Sequence, residues 1–278
     1  MISGFFKLKH LLIILSALIV LSCSSKAEKK RKTQSELYYG AGTQSLMSKD
    51  YTDALTNLLK ANELDSDNSG ILNNLGMAYY FKGEKDLALR TLKRSIEIDN
   101  KNSDAKVNLA SIYFQLGKLD DAEKIYKTVL RDLIYDKQAR TLYNLGLLEI
   151  KRNNLVAAEN YFKKSTKEDG NYCPSFFQIG LLQYSRKQYT QAHKNFKEAS
   201  MGVCYESPAA HYYQGLALTG LRRFNEARMK FDEIDARFKT SEFAQKARTK
   251  MMELNEIEKT TATEEVHASG KVLESADF

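Results

Sequence analysis

Along this chain a Gly or Ala is followed twelve residues later by an Ala, and four residues after that by a large apolar residue, six times over. The series runs Gly42–Ala54–Leu58, Gly76–Ala88–Leu92, Ala110–Ala122–Tyr126, Gly146–Ala158–Phe162, Gly180–Ala192–Phe196 and Gly215–Ala227–Phe231. Its leading residues stand 34, 34, 36, 34 and 35 apart. A period of that length marks a stacked repeat, in which each unit buries its apolar face only against its neighbours. The spacing has a packing cause. Two antiparallel helices approach closely only where the first offers Gly or Ala and the second offers Ala, and the large residue one turn on fills the groove between neighbouring hairpins.

Between the two small residues lies a polar turn, such as Lys82-Gly83-Glu84-Lys85 or Leu116-Gly117-Lys118-Leu119, where Gly closes the first helix. Ser207-Pro208 supplies a capping residue followed by Pro at the first helical position. The 278 residues contain only two prolines, so little interrupts the helices elsewhere. Asn74-Leu75-Gly76-Met77-Ala78-Tyr79 recurs as Asn108-Leu109-Ala110-Ser111-Ile112-Tyr113 and again as Asn144-Leu145-Gly146.

This wording resembles the tetratricopeptide repeat family over residues 36 to about 238, in six units. The usual Trp early in the first helix is replaced by Tyr38, Leu72, Lys106, Leu142, Phe176 and His211. The resemblance implies an all-α fold, a right-handed superhelical solenoid of about six helix-turn-helix repeats. Residues Ser241 to Glu258 carry Phe243, Ala247, Met251, Leu254 and Ile257 near helical spacing and read as a capping helix over the last repeat. The repeat domain is thus expected over 36–258, with 259–278 a disordered tail.

Ahead of the repeats, Lys7, Lys9 and His10 precede the apolar run Leu11 to Leu21, which ends at Ser22-Cys23. A basic start, an apolar stretch of this length and a small residue before Cys resemble a bacterial lipoprotein signal. The resemblance implies removal of residues 1–22, with Cys23 acylated as the first residue of the mature chain. Val20 and Leu21 stand where that family usually has Leu and a small residue. An ordinary secretory signal with an incidental Cys is the other reading. Ser24 after the Cys points to the outer membrane, facing the periplasm, by the sorting rule of enteric lipoproteins. Residues 23–35 read as a basic linker: Ser24 to Ser35 sums to +4, while everything from Glu36 onward sums to +1. The basic pI is therefore a property of the amino-terminal end and gives the body no nucleic-acid footprint.

No catalytic set is visible. The four His are scattered, none in H-E-x-x-H or another ligand spacing, and no nucleophile elbow, P-loop or dinucleotide fingerprint is present. The chain is expected to be no enzyme, with no cofactor, metal or small-molecule substrate. Cys173 and Cys204 fall at the open end of one hairpin, where a disulfide forms if the loop around Met201-Gly202-Val203 folds inward; two separate thiols are the alternative.

Asn74, Asn108 and Asn144 occupy one place in three successive repeats, and Gln178 takes it in the next. In tetratricopeptide proteins that place faces the concave groove. A row of side-chain amides can hydrogen-bond an extended peptide's backbone without reading its sequence. The row resembles the asparagine ladder of the O-linked N-acetylglucosamine transferase repeats. Tyr80, Phe114, Phe177 and Tyr184 map on or beside the groove, as do Met77, Phe81 and Leu147, and could supply apolar pockets. The plainer reading is ordinary repeat wording with packing aromatics.

A lipoprotein signal followed by about six such repeats is similar to the pilotin lipoproteins of type IV pili, the PilF, PilW and Tgl group. Some members also carry a Cys pair in the later repeats. The resemblance implies a secretin subunit as protein partner and a role in its outer-membrane assembly. A barrel-assembly lipoprotein, suggested by Phe231, Phe238, Ser241 and Ala244, and an adaptor for cell-wall enzymes are the other readings.

Overall fold

A computed structural model describes residues 26–257. The residues read as signal peptide, acylated Cys23 and carboxy-terminal tail lie outside these. Thirteen helices and no strand occur among the described residues. The chain divides into two compact units at Tyr135/Asp136. The first holds α1 (26–47), α2 (Tyr51–Leu64), α3 (Ser69–Phe81), α4 (Lys85–Ile98), α5 (Ser103–Gln115) and α6 (Leu119–Val129). The second holds α7 (Gln138–Lys151), α8 (Leu155–Glu168), α9 (Cys173–Ser185), α10 (Tyr189–Ala199), α11 (Pro208–Gly220), α12 (Phe224–Arg237) and α13 (242–257). In each unit, successive helices form hairpins, and each hairpin packs on the next.

The spaced residues are the hairpin cores. Ala54, Leu58, Ala88, Leu92, Ala122, Tyr126, Ala158, Phe162, Ala192, Phe196, Ala227 and Phe231 are all buried. One detail corrects the packing expected from the spacing. The leading Gly meets the large side chain of its own hairpin: a Cβ at Gly76 would stand 2.7 Å from Leu92 Cγ, and one at Gly180 2.6 Å from the Phe196 ring. The large residue therefore fills the space left by the missing Cβ, as well as facing the next hairpin.

Every first helix ends on a residue with positive φ, seven positions after the leading small residue. Gly83 and Gly117 take this place with φ of +88° and +76°. Elsewhere it is held by Lys49, Asn153, Lys187 and Arg222, with φ between 57° and 64°. The left-handed residue reverses the chain so that the next N–H returns to a carbonyl of the last turn, as in Glu84 N to Tyr79 O at 2.9 Å and Gln188 N to Gln183 O at 2.9 Å. Second helices start on side-chain caps where the sequence permits: Asp50 accepts from Asp53 N at 3.1 Å, and Asn154 from Ala157 N at 3.4 Å.

The expected capping helix is α13. Ala247 and Leu254 are buried against Phe231 and Ile234, with Phe243 and Met251 packed beside them. Ile257, counted on the same face in the sequence, is 43% exposed. The expected linker differs more. From residue 26 it is helix, and α1 continues without a break through position 36. Lys, Ala, Glu and Arg favour helix there, no Gly or Pro opposes it, and Glu28 pairs with Lys32 at 3.6 Å one turn on. Ser35 closes the segment onto the core, its hydroxyl donating to Ala61 O at 2.8 Å.

Candidate functional site

The eight residues expected to line a groove fall on four first helices, two in each unit. In the first unit, α3 carries Asn74 and Tyr80, and α5 carries Asn108 and Phe114. Asn74 is half-buried, whereas Asn108 is buried. Their amides are bound to the protein itself. Asn108 Nδ2 donates to Asn73 Oδ1 (2.9 Å), Asn73 Nδ2 to Asn74 Oδ1 (3.0 Å), and Asn74 Nδ2 to Thr43 Oγ1 (2.8 Å). The Thr43 hydroxyl in turn donates to Tyr39 O at 2.8 Å. One directed relay therefore runs across α5, α3 and α1. A primary amide offers two donors and an acceptor with two lone pairs, so the half-buried Asn74 can take part in more than these two bonds. Asn73 was missed in the sequence, although it stands in the Asn73-Asn74 doublet; its inward aim is set by helix phase.

The aromatics of this unit divide. The Tyr80 ring packs on the cluster around Leu92 and Leu109. Phe81 stacks on Tyr51 of α2 at 4.5 Å, so it packs against the preceding hairpin. Phe114 is half-buried on α5.

In the second unit, α7 carries Asn144, and α9 carries Phe177, Gln178 and Tyr184, all half-buried. Gln178 hydrogen-bonds the Tyr143 phenol, whose pKa is pushed up by burial and drawn back by that bond. Tyr172, beside Tyr143 at 5.7 Å, is pushed up to about 12, chiefly by burial. Phe177 and Tyr184 join one aromatic cluster: Phe177 meets Phe196 at 5.8 Å and Tyr213 at 5.5 Å, and Tyr184 meets Tyr213 at 6.4 Å. These rings pack with the core along one edge and remain partly open along the other.

Cys173 and Cys204 form a disulfide with their Cα atoms 6.3 Å apart. The short 3-10 turn Gly202–Cys204 carries the second cysteine inward, with Gly202 at φ +57°. Tyr143, Pro174, Phe177, Ala199 and the disulfide line a cavity of about 200 Å³. Its walls are apolar or aromatic apart from the Tyr143 phenol and Ser207. A cavity of this size suits one apolar side chain from a partner.

Next to this loop, His211 is buried, its Nε2 within 2.8 Å of Tyr205 O and its Nδ1 3.7 Å from Glu233 Oε1. Burial lowers the imidazole pKa, while the Tyr205 carbonyl and Glu233 oppose the shift. Arg237 lies over the Tyr205 ring at 3.8 Å and pairs with Glu206 at 3.1 Å, so the imidazole and guanidinium clamp the loop. Among the described residues no group of three or more His, Cys, Asp or Glu is placed to hold a metal ion. Among the same residues no helix is long and apolar enough to cross a membrane.

Comparison with known proteins identifies the repeat. Residues 69–102 and 103–167 match two models of the tetratricopeptide repeat. The fold is similar to that of PilF of Pseudomonas aeruginosa, with a TM-score of 0.65 at 17% identity over 80% of this chain and 99% of that one. It is similar to PilW, a type IV pilus biogenesis factor, with a TM-score of 0.64 at 18% identity over 76% and 97%. The Cut9–Hcn1 tetramer of the APC/C gives a TM-score of 0.63 at 14% identity, covering 80% of this chain and 46% of that one. At these identities the likeness is one of fold. Among curated sequences, neutrophil cytosol factor 2 of Mus musculus is 36% identical over 66 residues, and that of Bos taurus is 36% identical over a stretch of the same length. The chain spans only 13% and 12% of those relatives.

Proposed function

We propose that this chain is a non-enzymatic protein-binding lipoprotein of type IV pilus biogenesis, a pilotin that assists assembly of an outer-membrane secretin. The observation that carries this reading is the match in architecture with PilF and PilW over nearly the whole length of both, 99% and 97%. The amino-terminal sequence supports it: Cys23 follows an apolar run of signal length and would be acylated, placing the repeats in the periplasm under the outer membrane. Anchorage raises the local concentration of the repeats where secretin subunits arrive, so a modest groove affinity suffices.

In this reading the first unit offers amides to the backbone of an extended secretin segment. Asn74 is the reachable member of the relay, and Asn108 orients it from within through Asn73. The second unit offers Phe177, Tyr184 and the cavity beside the disulfide to an apolar side chain. The test is the secretin itself. Cells lacking the chain should lose detergent-resistant secretin multimers from the outer membrane, and a Cys23→Ser form should not restore them. Normal multimers in the deletion strain, with a defect in barrel assembly or cell-wall hydrolysis instead, would favour one of the other adaptor roles.

A further inference from the structure

We propose that the outer face of α1 between residues 26 and 37 is a docking surface for anionic lipid headgroups. This inference rests on the membrane anchor proposed above. Residues 26–34 are all exposed, and Ser35 marks the inward side through its bond to Ala61. At about 100° per residue, Lys26 lies opposite Ser35, with Lys29, Lys30, Thr33 and Leu37 on the same outer side. Lys26, Lys29, Lys30 and Leu37 line one shallow trough, with no Asp or Glu in it among the described residues. Leu37 is 71% exposed. The acids of the segment stand off this face: Glu28 pairs with Lys32 on the flank, and Glu36 is not part of the trough.

Apolar stems around an exposed Leu, rimmed by ammonium groups, match the headgroup boundary of a bilayer, where stems contact hydrocarbon and charges meet phosphate. The position matches too. The apolar run closes at Leu21, and Cys23 precedes Lys26 by three residues, so in sequence this face lies beside the anchor. Three lysines strengthen contact with an anionic surface by about fivefold each, or about a hundredfold together. Because α1 runs unbroken into the first hairpin, docking of its outer face sets how the first unit stands on the membrane.

The chain contains no Trp, so a Thr33→Trp variant carries a single reporter on this face. The full protein, purified from membranes, is reconstituted into phosphatidylcholine vesicles with and without phosphatidylglycerol, each containing headgroup-nitroxide lipid. The expected result is strong quenching in the anionic vesicles, weak quenching in the neutral ones, and release by salt. Lys26→Gln, Lys29→Gln and Lys30→Gln together should weaken the docked state about a hundredfold. Flotation with the vesicles but no quenching overturns the docking surface and leaves the anchor standing. Equal quenching in both lipids, or a reporter shielded by the chain's own amino-terminal residues, also overturns it. Failure to float with either vesicle overturns the anchor, and the docking surface with it.

Discussion

Asn108 donates its side-chain amide to Asn73 at 2.9 Å, tying the first helices of two successive repeats to one another. Asn73 passes the bond to Asn74, and Asn74 to Thr43. The asparagines that invite a peptide-binding reading are therefore also part of what holds the hairpins in register. Binding and stability share one set of groups, and substitutions along the relay separate them.

Asn73→Ala removes the acceptor for Asn108 and leaves a buried amide donor unsatisfied, at a cost of about 1–3 kcal/mol. Asn74→Ala, at a half-buried position, should cost less and act mainly on partner binding. The double variant Asn74→Ala with Asn108→Ala should weaken binding and also lower the melt, because Asn108 is buried. Urea titrations of the three variants check the order. An Asn73→Ala melt equal to wild type would remove the relay from the stability account.

Gly180 lies under the Phe196 ring with no room for a Cβ. Gly180→Ala should destabilise by about 1–3 kcal/mol through overpacking, and Phe196→Leu in the same chain should recover part of the loss. Gly40, on α1 with nothing within 4 Å of its Cβ position, is the control. Gly40→Ala should stabilise by about 0.5–1 kcal/mol through helix propensity. Thermal melts of the two variants should move in opposite directions.

Lys187 and Arg222 hold left-handed backbone at φ 59° and 57° where Gly83 serves the same turn in another repeat. A non-Gly residue in that conformation costs about 1–2 kcal/mol. Lys187→Gly and Arg222→Gly should each raise stability by up to about 1 kcal/mol, once the added freedom of the unfolded chain offsets part of the relief. Gly83→Ala should do the reverse. Chemical denaturation midpoints decide it, and a destabilised Lys187→Gly would contradict the turn account.

The Cys173–Cys204 disulfide closes a span of 31 residues that includes α10 and ends next to Tyr205, which His211 and Arg237 hold. Chain-entropy arguments give a crosslink of this span about 3–4 kcal/mol. Reductant, or Cys173→Ser with Cys204→Ser, should lower the melting temperature and raise proteolytic cleavage between Met201 and Ser207. Unchanged melting and cleavage under reduction would show that the bond adds nothing to the fold.

The fold was legible because close helix contact demands small residues, and the demand recurs with each hairpin, so the Gly76–Ala88–Leu92 pattern could be read directly. The turns were legible only where Gly83 and Gly117 occupy the left-handed position; Lys49, Asn153, Lys187 and Arg222 hide it behind side chains that do not announce positive φ. The candidate site was half legible. The recurring Asn is visible in sequence, but whether it faces solvent or a neighbouring amide depends on helix phase and on Asn73, which repeats in no other unit. The helical state of residues 26–35 was hidden by their charge, which reads equally as a solvated spacer. The 36-residue step between Ala110 and Gly146 is the sequence trace of the longer loop near Tyr135, where the two compact units meet in the chain.

The central claim is that the repeats bind a secretin at the outer membrane. In vivo crosslinking of the full chain, followed by purification from outer membranes and mass spectrometry of the crosslinked peptides, measures it directly. The account predicts a secretin peptide joined to residues flanking Asn74 and Phe177, lost on Asn74→Ala. Crosslinks to barrel-assembly components or murein hydrolases, with no secretin, would contradict it.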